Sequence, residues 1–354
     1  MGHSVRRFSS STLEKFIGAI FDAAGSEPRE ANIIASHLVE ASLMGHDSHG
    51  VIRVSKYIDW LRAGHVCPNR HARVAGDRGA LVVLDGDFGF GQVIGKEAME
   101  IAAERAASHG MATVAVRNSG HLGRIGAWPE LLAERGLASI HFVNTSGFGI
   151  LVAPFGGADR RLSANPIAAG APTRGGRPII LDIATSAIAE GKIQVARNKG
   201  ERLPPDTVLD GRGRPTTDPE VFYANPPGAI LPIGGHKGSG LSFFCEILAG
   251  SLTGGHASNP GAPTAKRLVN NMLSLAFDPA AFGDADAFTD DVRRLVEWVT
   301  ASPPIAPGGK VWLPGEIEES VRRERQADGL PVDDVTWRAL SATAASLGVS
   351  PPTE

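Results

Sequence analysis

The segment Asp47-Ser48-His49-Gly50-Val51-Ile52-Arg53 brings a hydroxyl, an imidazole and a guanidinium together. Ser48 stands before a run with helical apolar periodicity, which predicts a helix that begins at Ser48 as its N-cap. In such a helix His49, Arg53 and Tyr57 recur every fourth residue and share one face. An imidazole transfers protons near neutral pH, a guanidinium holds a carboxylate through two hydrogen bonds, and a helix N-terminus favours an anion. The segment therefore predicts a site that binds a small carboxylic acid and moves a proton beside it.

Outward from this segment, apolar periodicity predicts helices toward both ends of the chain and strands between them. A capping box at Ser11 and Glu14 opens the first helix, and Gly25 ends it. The further predicted helices span 28–44, 48–62, 92–107, 128–135, 241–252, 290–300, 317–328 and 336–347, and the predicted strands span 81–84, 113–116, 139–143, 178–182 and 273–277. This order indicates an α/β protein of the α+β type in which the two helical ends pack together.

The composition excludes several classes of protein. The chain has 354 residues, 42% of them hydrophobic, and a formal net charge of −3, so neither nucleic acid nor an anionic membrane is an expected partner. Cys67 and Cys245 do not form a disulfide framework, which favours the cytoplasm. The segment after Arg6 and Arg7 is amphipathic and charged through Asp22, unlike a signal peptide. No apolar run approaches the roughly 18 residues that span a membrane.

A glycine-rich segment imitates a dinucleotide fingerprint. Gly89, Gly91 and Gly95 follow a predicted strand and precede a helix, but their spacing is GxGxxxG rather than GxGxxG. The next predicted strand ends in Arg117 and Asn118 instead of an acidic residue. We therefore expect a glycine-rich turn before a helix and not a Rossmann domain.

Three other segments are candidates for the site, each with a simpler interpretation. His121 lies between glycines after a strand, where it faces a cleft or only bonds to local backbone. The segment 234–240 contains Lys237 among glycines before the helix predicted from Leu241, as a phosphate cradle or a surface turn. The run 182–186 follows a strand and has small side chains that admit a ligand, although a strand-to-helix cap explains it equally well.

Two chemistries find little support in the sequence. His46 and His49 are three residues apart and invite a metal site, but no HExxH or CxxC pattern accompanies them, so we expect no metal. Ser48 lacks a G-x-S-x-G elbow, which argues against a serine hydrolase.

Several motifs agree in type and in order along nearly the whole chain. They are Asp47-Ser48-His49-Gly50 with Arg53 and Tyr57, Ser119-Gly120-His121, Gly156-Gly157 leading to Asn165-Pro166, 182–186 through Gly191-Lys192, Gly234-Gly235-His236-Lys237-Gly238, and Pro314-Gly315-Glu316. Together they resemble the second type of malate/L-lactate dehydrogenase family, which is distinct from the Rossmann-fold lactate and malate dehydrogenases. The segment 120–126 and His236 are most similar to the hydroxycarboxylate dehydrogenase B branch.

The resemblance implies a fold and a reaction. It implies a non-Rossmann nicotinamide-binding domain with a largely antiparallel sheet at 76–299, and a helical domain formed by 1–75 with 300–354. It also implies a homodimer and hydride transfer between NAD(P) and a 2-hydroxy or 2-oxo acid of the malate, lactate or aryl-lactate type. We expect NAD, with NADP as the other option.

The resemblance also implies roles for individual residues. His49 and His121 are the candidate proton donors, Ser48 orients its neighbour, and Arg53 with Tyr57 binds the substrate. The implied cofactor contacts are His49, Gly123, Arg124, Ile125, Asp182, Ile183, Ala184, Thr185, Ser186, His236, Lys237, Asn270, Asn271, Leu313, Pro314, Gly315 and Glu316. The sequence does not separate the roles of His49 and His121.

Three other functions remain as alternatives. Cyclic-imine reductases of the same superfamily resemble the chain, but they carry an aspartate where Lys192 stands, which favours an oxo acid. A metal-dependent hydrolase built on His46, His49 and His121 is less favoured, as is a binding protein without catalysis.

The chain also departs from the family pattern at one cofactor contact. Ala164 replaces the threonine of the Thr-Asn-Pro motif in many relatives, which removes one hydroxyl contact to the cofactor.

Overall fold

The computed structural model describes residues 5–264 and 267–352. Residues 1–4 and 353–354 of the predicted helical domain lie outside the described residues, as do residues 265–266 of the predicted cofactor domain. All of the predicted site residues are described. Within these ranges, no helix is long and apolar enough to cross a membrane.

The described helices and strands alternate along the middle of the chain. The helices are α1 (Ser10–Ala23), α2 (Pro28–Leu43), α3 (Arg53–Arg62), α4 (Gly91–His109), α5 (Ala127–Ala133), α6 (Glu190–Lys199), α7 (His236–Cys245), α8 (Pro279–Phe282), α9 (Ala285–Thr300), α10 (Glu316–Asp328) and α11 (Asp334–Ala345). The strands are β1 (Val5–Phe8), β2 (Arg73–Arg78), β3 (Leu81–Asp85), β4 (Met111–Ser119), β5 (Ala138–Gly147), β6 (Ile167–Ala171), β7 (Ile179–Ile183), β8 (Val208–Leu209), β9 (Pro215–Thr216), β10 (Ala229–Ile230), β11 (Leu268–Phe277) and β12 (Leu330–Asp333). Short 3₁₀ turns lie at Asp47–His49 and Pro219–Tyr223, and a π-helical turn at Glu246–Ser251 continues α7.

One sheet forms the centre of the described fold. Its seven strands follow the order β2-β3-β4-β11-β5-β6-β7, and β3 with β4 is the parallel pair among antiparallel neighbours. The crossover from β3 to β4 is α4, which packs on the sheet through Ile94 and Met99 against Val114 and Met272. This mixed, largely antiparallel sheet confirms the predicted fold class, because a Rossmann domain is built on a mostly parallel sheet.

The two ends of the chain meet in a second core. β1 pairs antiparallel with β12, with Phe8 opposite Leu330. Phe21 and Ile34 of the first two helices share this core with Trp337 of α11 and with Tyr57 of α3. Burial of such large apolar side chains stabilises the packing of both ends against each other by roughly 1.5–3 kcal/mol for each side chain.

The helix predicted from Ser48 begins later than expected. The chain makes a 3₁₀ turn and then an extended residue at Gly50, with φ −96° and ψ −147°, before α3 begins at Arg53. A Cβ at Gly50 would lie 1.9 Å from Ser42 Oγ, which also accepts a hydrogen bond from the backbone N–H of Val51. This close approach to α2 interrupts the helix, so Ser48 is not its N-cap.

Other predicted boundaries were also wrong, since the helix predicted from 290 begins at Ala285 and the strand predicted from 273 begins at Leu268. The first helix is capped by Ser9, whose hydroxyl accepts a hydrogen bond from Thr12 N, and not by a capping box at Ser11. The helix predicted from Leu241 begins at His236, so Gly238 and Gly240 lie inside its first turns, while Gly234 and Gly235 precede it. The sequence analysis did not predict α6 or the small β10-β8-β9 sheet.

Candidate active site

His121 is held by a buried pair of side chains at the end of β4. The phenol Oη of Tyr57 lies 2.6 Å from Nδ1 of His121. Gln92, the second residue of α4, donates from Nε2 to that oxygen over 3.0 Å and to the backbone carbonyl of His121 over 3.2 Å. Both supporting side chains are buried, with Tyr57 2% and Gln92 1% exposed. Tyr57, predicted to bind substrate, therefore holds the imidazole, and it also lines the small apolar pocket beside His121.

His49 lies face to face with His121. Their ring centroids are 5.3 Å apart and the ring planes differ by 4°. The 3₁₀ turn that carries His49 is held from α10, because His46 pairs with Glu318 at 3.6 Å and Asp47 pairs with Arg325. Nδ1 of His49 is buried, and no described protein atom bonds to it. Both predicted proton carriers thus share one site, with one polar atom left for a ligand.

Arg53 completes the group from the start of α3. Its Nε donates to the carbonyl of Ser48 over 2.5 Å, which orients the guanidinium. Ser48 thus orients its neighbour through its backbone and not through its hydroxyl. Ser48 also faces α6, since a Cβ at Gly191 would lie 3.0 Å from Ser48 Cβ. The predicted helical face of His49, Arg53 and Tyr57 does not exist as such, yet all three residues converge around His121.

Burial and positive charge keep the histidines of this group neutral. Burial and, second, the nearby Arg53 cation lower the pKa of His49 to about 3. The same two causes, in the same order, lower the pKa of His121 well below its usual range. An anion bound at Arg53 removes the second cause, so it raises both pKa values.

His37 is a member of the group that the sequence analysis did not identify. It lies on α2, its Nε2 accepts a hydrogen bond from Arg124 N over 3.0 Å, and its ring stacks on Trp128 at 5.2 Å. Burial lowers its pKa to about 3. No local motif surrounds His37 in the sequence; only its position on the buried side of α2, one residue before Leu38, could have drawn attention to it.

A cavity of about 730 Å³ joins three of the predicted cofactor segments. Its lining includes Arg124, Asp182 and the turn from Leu313 through Pro314 and Gly315 to Glu316. The turn rests on β7, where Ile180 N donates to Pro314 O over 3.3 Å. A cavity of this size lies within the range of small-molecule and cofactor sites.

Arg124 is not a free cation in this cavity. Its side chain is buried, and its guanidinium is paired with Glu130, with one contact of 3.1 Å between Nη1 and Oε1. Asp182 accepts a hydrogen bond from Gly126 N over 2.7 Å and adds negative charge nearby. The predicted contact of Arg124 with a phosphate therefore meets a cation that protein carboxylates already neutralise.

Most of the other predicted cofactor contacts near Arg124 and Asp182 pack against the protein itself and support its loops. Gly123 has φ +76°, and a Cβ there would lie 2.2 Å from His37 Nε2, so only glycine fits between the loop and α2. Ile125 is buried, and Thr185 donates from Oγ1 to Ala164 O over 2.9 Å. Ser186 differs, because its buried Oγ has no bonding partner in the described protein. Ile183 ends β7 and Ala184 follows it.

Four other predicted cofactor residues lie away from the lining of the cavity. His236 and Lys237 are exposed in the first turn of α7, where the ring of Phe155 lies 5.8 Å from that of His236. Asn270 and Asn271 are buried in β11. Asn270 Oδ1 accepts from Leu122 N and Asn271 Oδ1 accepts from Asn118 N, both over 2.9 Å. We assign to these two amides the support of the segment that carries His121.

The glycines of the GxGxxxG segment have a packing role. A Cβ at Gly91 would lie 2.3 Å from the carbonyl oxygen of His121, and one at Gly95 would lie 2.5 Å from the ring of Trp128. Gly91 lets α4 approach the loop of His121, and Gly95 lets it approach α5. Both glycines lie within α4 and not in the predicted turn before it, which holds Gly89. Within the described residues, no three His, Cys, Asp or Glu side chains are grouped to hold a metal ion.

Comparison with known proteins identifies the family. The family model of malate/L-lactate dehydrogenase matches residues 8–341. The chain is 42% identical to hydroxycarboxylate dehydrogenase B of Escherichia coli (strain K12) over 98% of this chain and 96% of that protein. It is also 34% identical to a Delta(1)-pyrroline-2-carboxylate/Delta(1)-piperideine-2-carboxylate reductase of Pseudomonas putida, over 95% and 96% of the two chains.

A solved structure agrees with the observed fold. Malate dehydrogenase from Pyrococcus horikoshii OT3 superposes with a TM-score of 0.88 at 31% identity, over 99% of each chain. The predicted resemblance to this family and to its hydroxycarboxylate branch is thereby confirmed. The chain therefore belongs to the malate/L-lactate dehydrogenase family and is an oxidoreductase of 2-hydroxy and 2-oxo carboxylic acids.

Proposed function

We propose that the enzyme reduces 2-oxo acids, and oxidises the corresponding 2-hydroxy acids, with a nicotinamide dinucleotide. One observation carries the proposal: Arg53 and the stacked rings of His49 and His121 form a single group. A cation that holds a carboxylate and an imidazole that holds a proton are what the substrate half of this reaction requires.

The residues around the cavity fit a dinucleotide. The cavity of about 730 Å³ has room for an elongated ligand. Outside the lining of this cavity, two buried polar atoms, Nδ1 of His49 and Oγ of Ser186, have no bonding partner in the described protein, as expected where a polar ligand group binds. Arg124, Asp182 and the turn 313–316 would line the bound cofactor, and His49 would meet it near the substrate.

The side chains of the enzyme bind and protonate the substrate. Arg53 holds the carboxylate through the terminal nitrogens of its guanidinium, while Nε stays on Ser48 O. Nε2 of His121 faces the substrate carbonyl oxygen, because Nδ1 is occupied by Tyr57. A bound dihydronicotinamide supplies the hydride for the carbonyl carbon. His121 is thus the proton donor in this proposal, and His49 positions the ligand.

We infer NAD as the preferred cofactor. Arg124 is paired with Glu130, and at the rim of the cavity Arg174 is paired with Asp290 at 3.1 Å and Lys310 with Glu316 at 2.8 Å. The 2′-phosphate of NADP would have to displace these carboxylates, whereas a ribose hydroxyl does not.

An apolar pocket beside His121 favours an uncharged substrate side chain. Tyr57, Trp60, Val66, Phe90 and Leu268 line it together with His65, Gly120 and His121, and its volume of about 10 Å³ admits only a small group. A second carboxylate placed there, as in oxaloacetate, would lose water among these apolar side chains, with no lysine or arginine in the lining to pair with it.

We also propose that two copies of the chain pair, and that they do so in the cytoplasm. Leu241, Phe243, Phe244 and Ile247 on α7 and its π-helical extension are each at least 40% exposed, as is Leu252 beyond it. Contiguous apolar surface of this kind is typical of a protein interface.

The free thiols of Cys67 and Cys245 favour a reducing compartment. The division into 1–75 with 300–354 and 76–299 is our proposal for the domains, supported by the β1–β12 pairing.

The decisive experiment is a substrate panel. We expect the purified enzyme to consume NADH with pyruvate, and kcat/KM for oxaloacetate to be at least about tenfold lower than for pyruvate; phenylpyruvate belongs in the same panel. NADPH and Δ1-piperideine-2-carboxylate belong in the same panel, because the similar Pseudomonas putida reductase makes an imine the second candidate substrate. Turnover of the imine alone would replace the proposal with that alternative, and turnover of no substrate would end it.

A further inference from the structure

The hydrogen-bond directions around His121 can be assigned from its neighbours. Gln92 Nε2 lies 3.2 Å from the carbonyl oxygen of His121, and a carbonyl only accepts, so the amide nitrogen faces it. The same nitrogen then donates to Tyr57 Oη, 3.0 Å away. Tyr57 has one hydroxyl hydrogen, and His121 Nδ1 at 2.6 Å takes it. In a neutral ring the remaining hydrogen is therefore on Nε2, the nitrogen for which the described protein offers no partner.

We propose that Tyr57 and His121 form a proton relay for the carbonyl oxygen of the substrate, and that Gln92 sets its direction. The proposal rests on the proposed function and adds a second proton donor behind the imidazole. Tyr57 acts on the reacting oxygen through His121, and its ring also lines the apolar pocket beside it, so Tyr57 and Gln92 are positioning residues.

The relay balances as follows. The carbonyl carbon gains a C–H bond from the hydride of the reduced nicotinamide, and the π electron pair moves to oxygen. That oxygen forms an O–H bond as the Nε2–H bond of His121 breaks, while Nδ1 takes the hydroxyl proton of Tyr57. The negative charge ends on Tyr57 Oη, next to the donating amide of Gln92. After product release, Nε2 takes a proton from water and Nδ1 returns one to Tyr57, so each turnover uses one hydride and one solvent proton.

The surroundings make this route preferable to an imidazolium donor. Burial and the nearby Arg53 cation both oppose a positive charge on the ring of His121 and lower its pKa. Burial also raises the pKa of Tyr57 to about 12. An alkoxide is nevertheless a stronger base than a phenolate, so the transfer from Tyr57 to the reduced substrate runs downhill. The relay thus lets a neutral imidazole deliver a proton.

The test is a single-turnover measurement in mixtures of H₂O and D₂O. For the wild-type enzyme, two protons in flight predict a bowl-shaped plot of hydride-transfer rate against deuterium fraction. Tyr57→Phe should lower that rate about 10²-fold, leave KM for the oxo acid within twofold, and give a straight line. Tyr223→Phe is the matched control, because Tyr223 is the other tyrosine of the chain and its hydroxyl bonds to no described residue.

Each result has a defined meaning. A straight line for the wild-type enzyme, a rate for Tyr57→Phe within twofold of wild type, or an equal loss in Tyr223→Phe would overturn the relay. If Tyr57→Phe does not fold, Gln92→Glu provides the second test: the new carboxylate accepts the Tyr57 hydroxyl proton, so the rate should again fall about 10²-fold, and an unchanged rate rejects the relay. Failure of the proposed function is different, since the wild-type enzyme would then turn over no substrate.

Discussion

Arg53 has a double role at the scale of the single residue. It is the cation that would hold a substrate carboxylate, and it lowers the pKa of both His49 and His121. An anion at Arg53 removes only the second cause of these shifts, and burial, the larger cause, still favours neutral imidazoles. Substrate binding and proton chemistry are coupled through one side chain, whose direction is fixed by its bond to Ser48 O.

Arg53→Lys should separate charge from geometry. Lysine keeps the positive charge but loses the planar fork and the Nε bond to Ser48 O. We expect KM for the oxo acid to rise about tenfold to hundredfold, which corresponds to the roughly 1.5–3 kcal/mol of a charged hydrogen bond, with KM for NADH unchanged. Steady-state kinetics with both substrates varied measures this, and an unaltered oxo-acid KM would remove Arg53 from the substrate site.

At the scale of the element, the start of α4 connects the two cores. Phe90 lies in the core of the helical ends, while Ile94, one turn later, lies in the core under the sheet. Between them Gln92 reaches His121 and Tyr57. The glycines of this helix allow the approach, at positions where helix propensity alone would favour alanine.

Gly95→Ala tests this packing against helix propensity. The added Cβ would lie 2.5 Å from the ring of Trp128, so we expect a loss of about 1–3 kcal/mol in the free energy of unfolding. Gly18→Ala in α1 is the control, because its Cβ meets only Asn32 Oδ1 at 3.4 Å, and there the variant should gain about 0.5–1 kcal/mol. Denaturant unfolding measures both changes; a gain for both variants would mean that Trp128 yields without cost.

The start of α7 shows how tertiary packing moves a helix boundary away from the place that the sequence pattern predicts. Its apolar run predicted a helix from Leu241, but the helix begins at His236 because Gly238 and Gly240 continue it despite their low propensity. A Cβ at Gly238 would lie 2.2 Å from the carbonyl oxygen of Ile233, so tertiary packing selects glycine there. At Gly50 the error has the opposite sign. The local pattern predicts a helix from Ser48, but the close contact of Gly50 with Ser42 interrupts it, and α3 begins only at Arg53.

At the scale of the whole molecule, the site is an assembly that local patterns indicate only in part. The sequence identified Arg53, His49 and His121 by residue type and motif, and the fold brings them together from α3, a 3₁₀ turn and the end of β4. It did not identify Gln92 or His37, because neither carries a local pattern and each matters only through a contact with a distant segment. Long-range contacts of this kind are what a single sequence does not reveal.

The exposed apolar face of α7 belongs to the same scale, because an unpaired chain would leave it in water. Phe244 is 59% exposed there, beside Phe243 at 58%. If two copies bury this face against each other, Phe244→Glu places a charge in an apolar contact, and we expect the dissociation constant of the dimer to rise at least about 10²-fold. Sedimentation velocity over a concentration series measures it.

Val335→Glu provides the comparison for this test. Val335 is 50% exposed on α11, away from α7, so the same change of charge there should leave the dimer intact. The far-ultraviolet circular dichroism of both variants should match the wild-type spectrum, since both side chains face solvent within the single chain. A wild-type protein that sediments as a monomer at micromolar concentration, or a Phe244→Glu variant that stays paired, would show that this face does not join two copies.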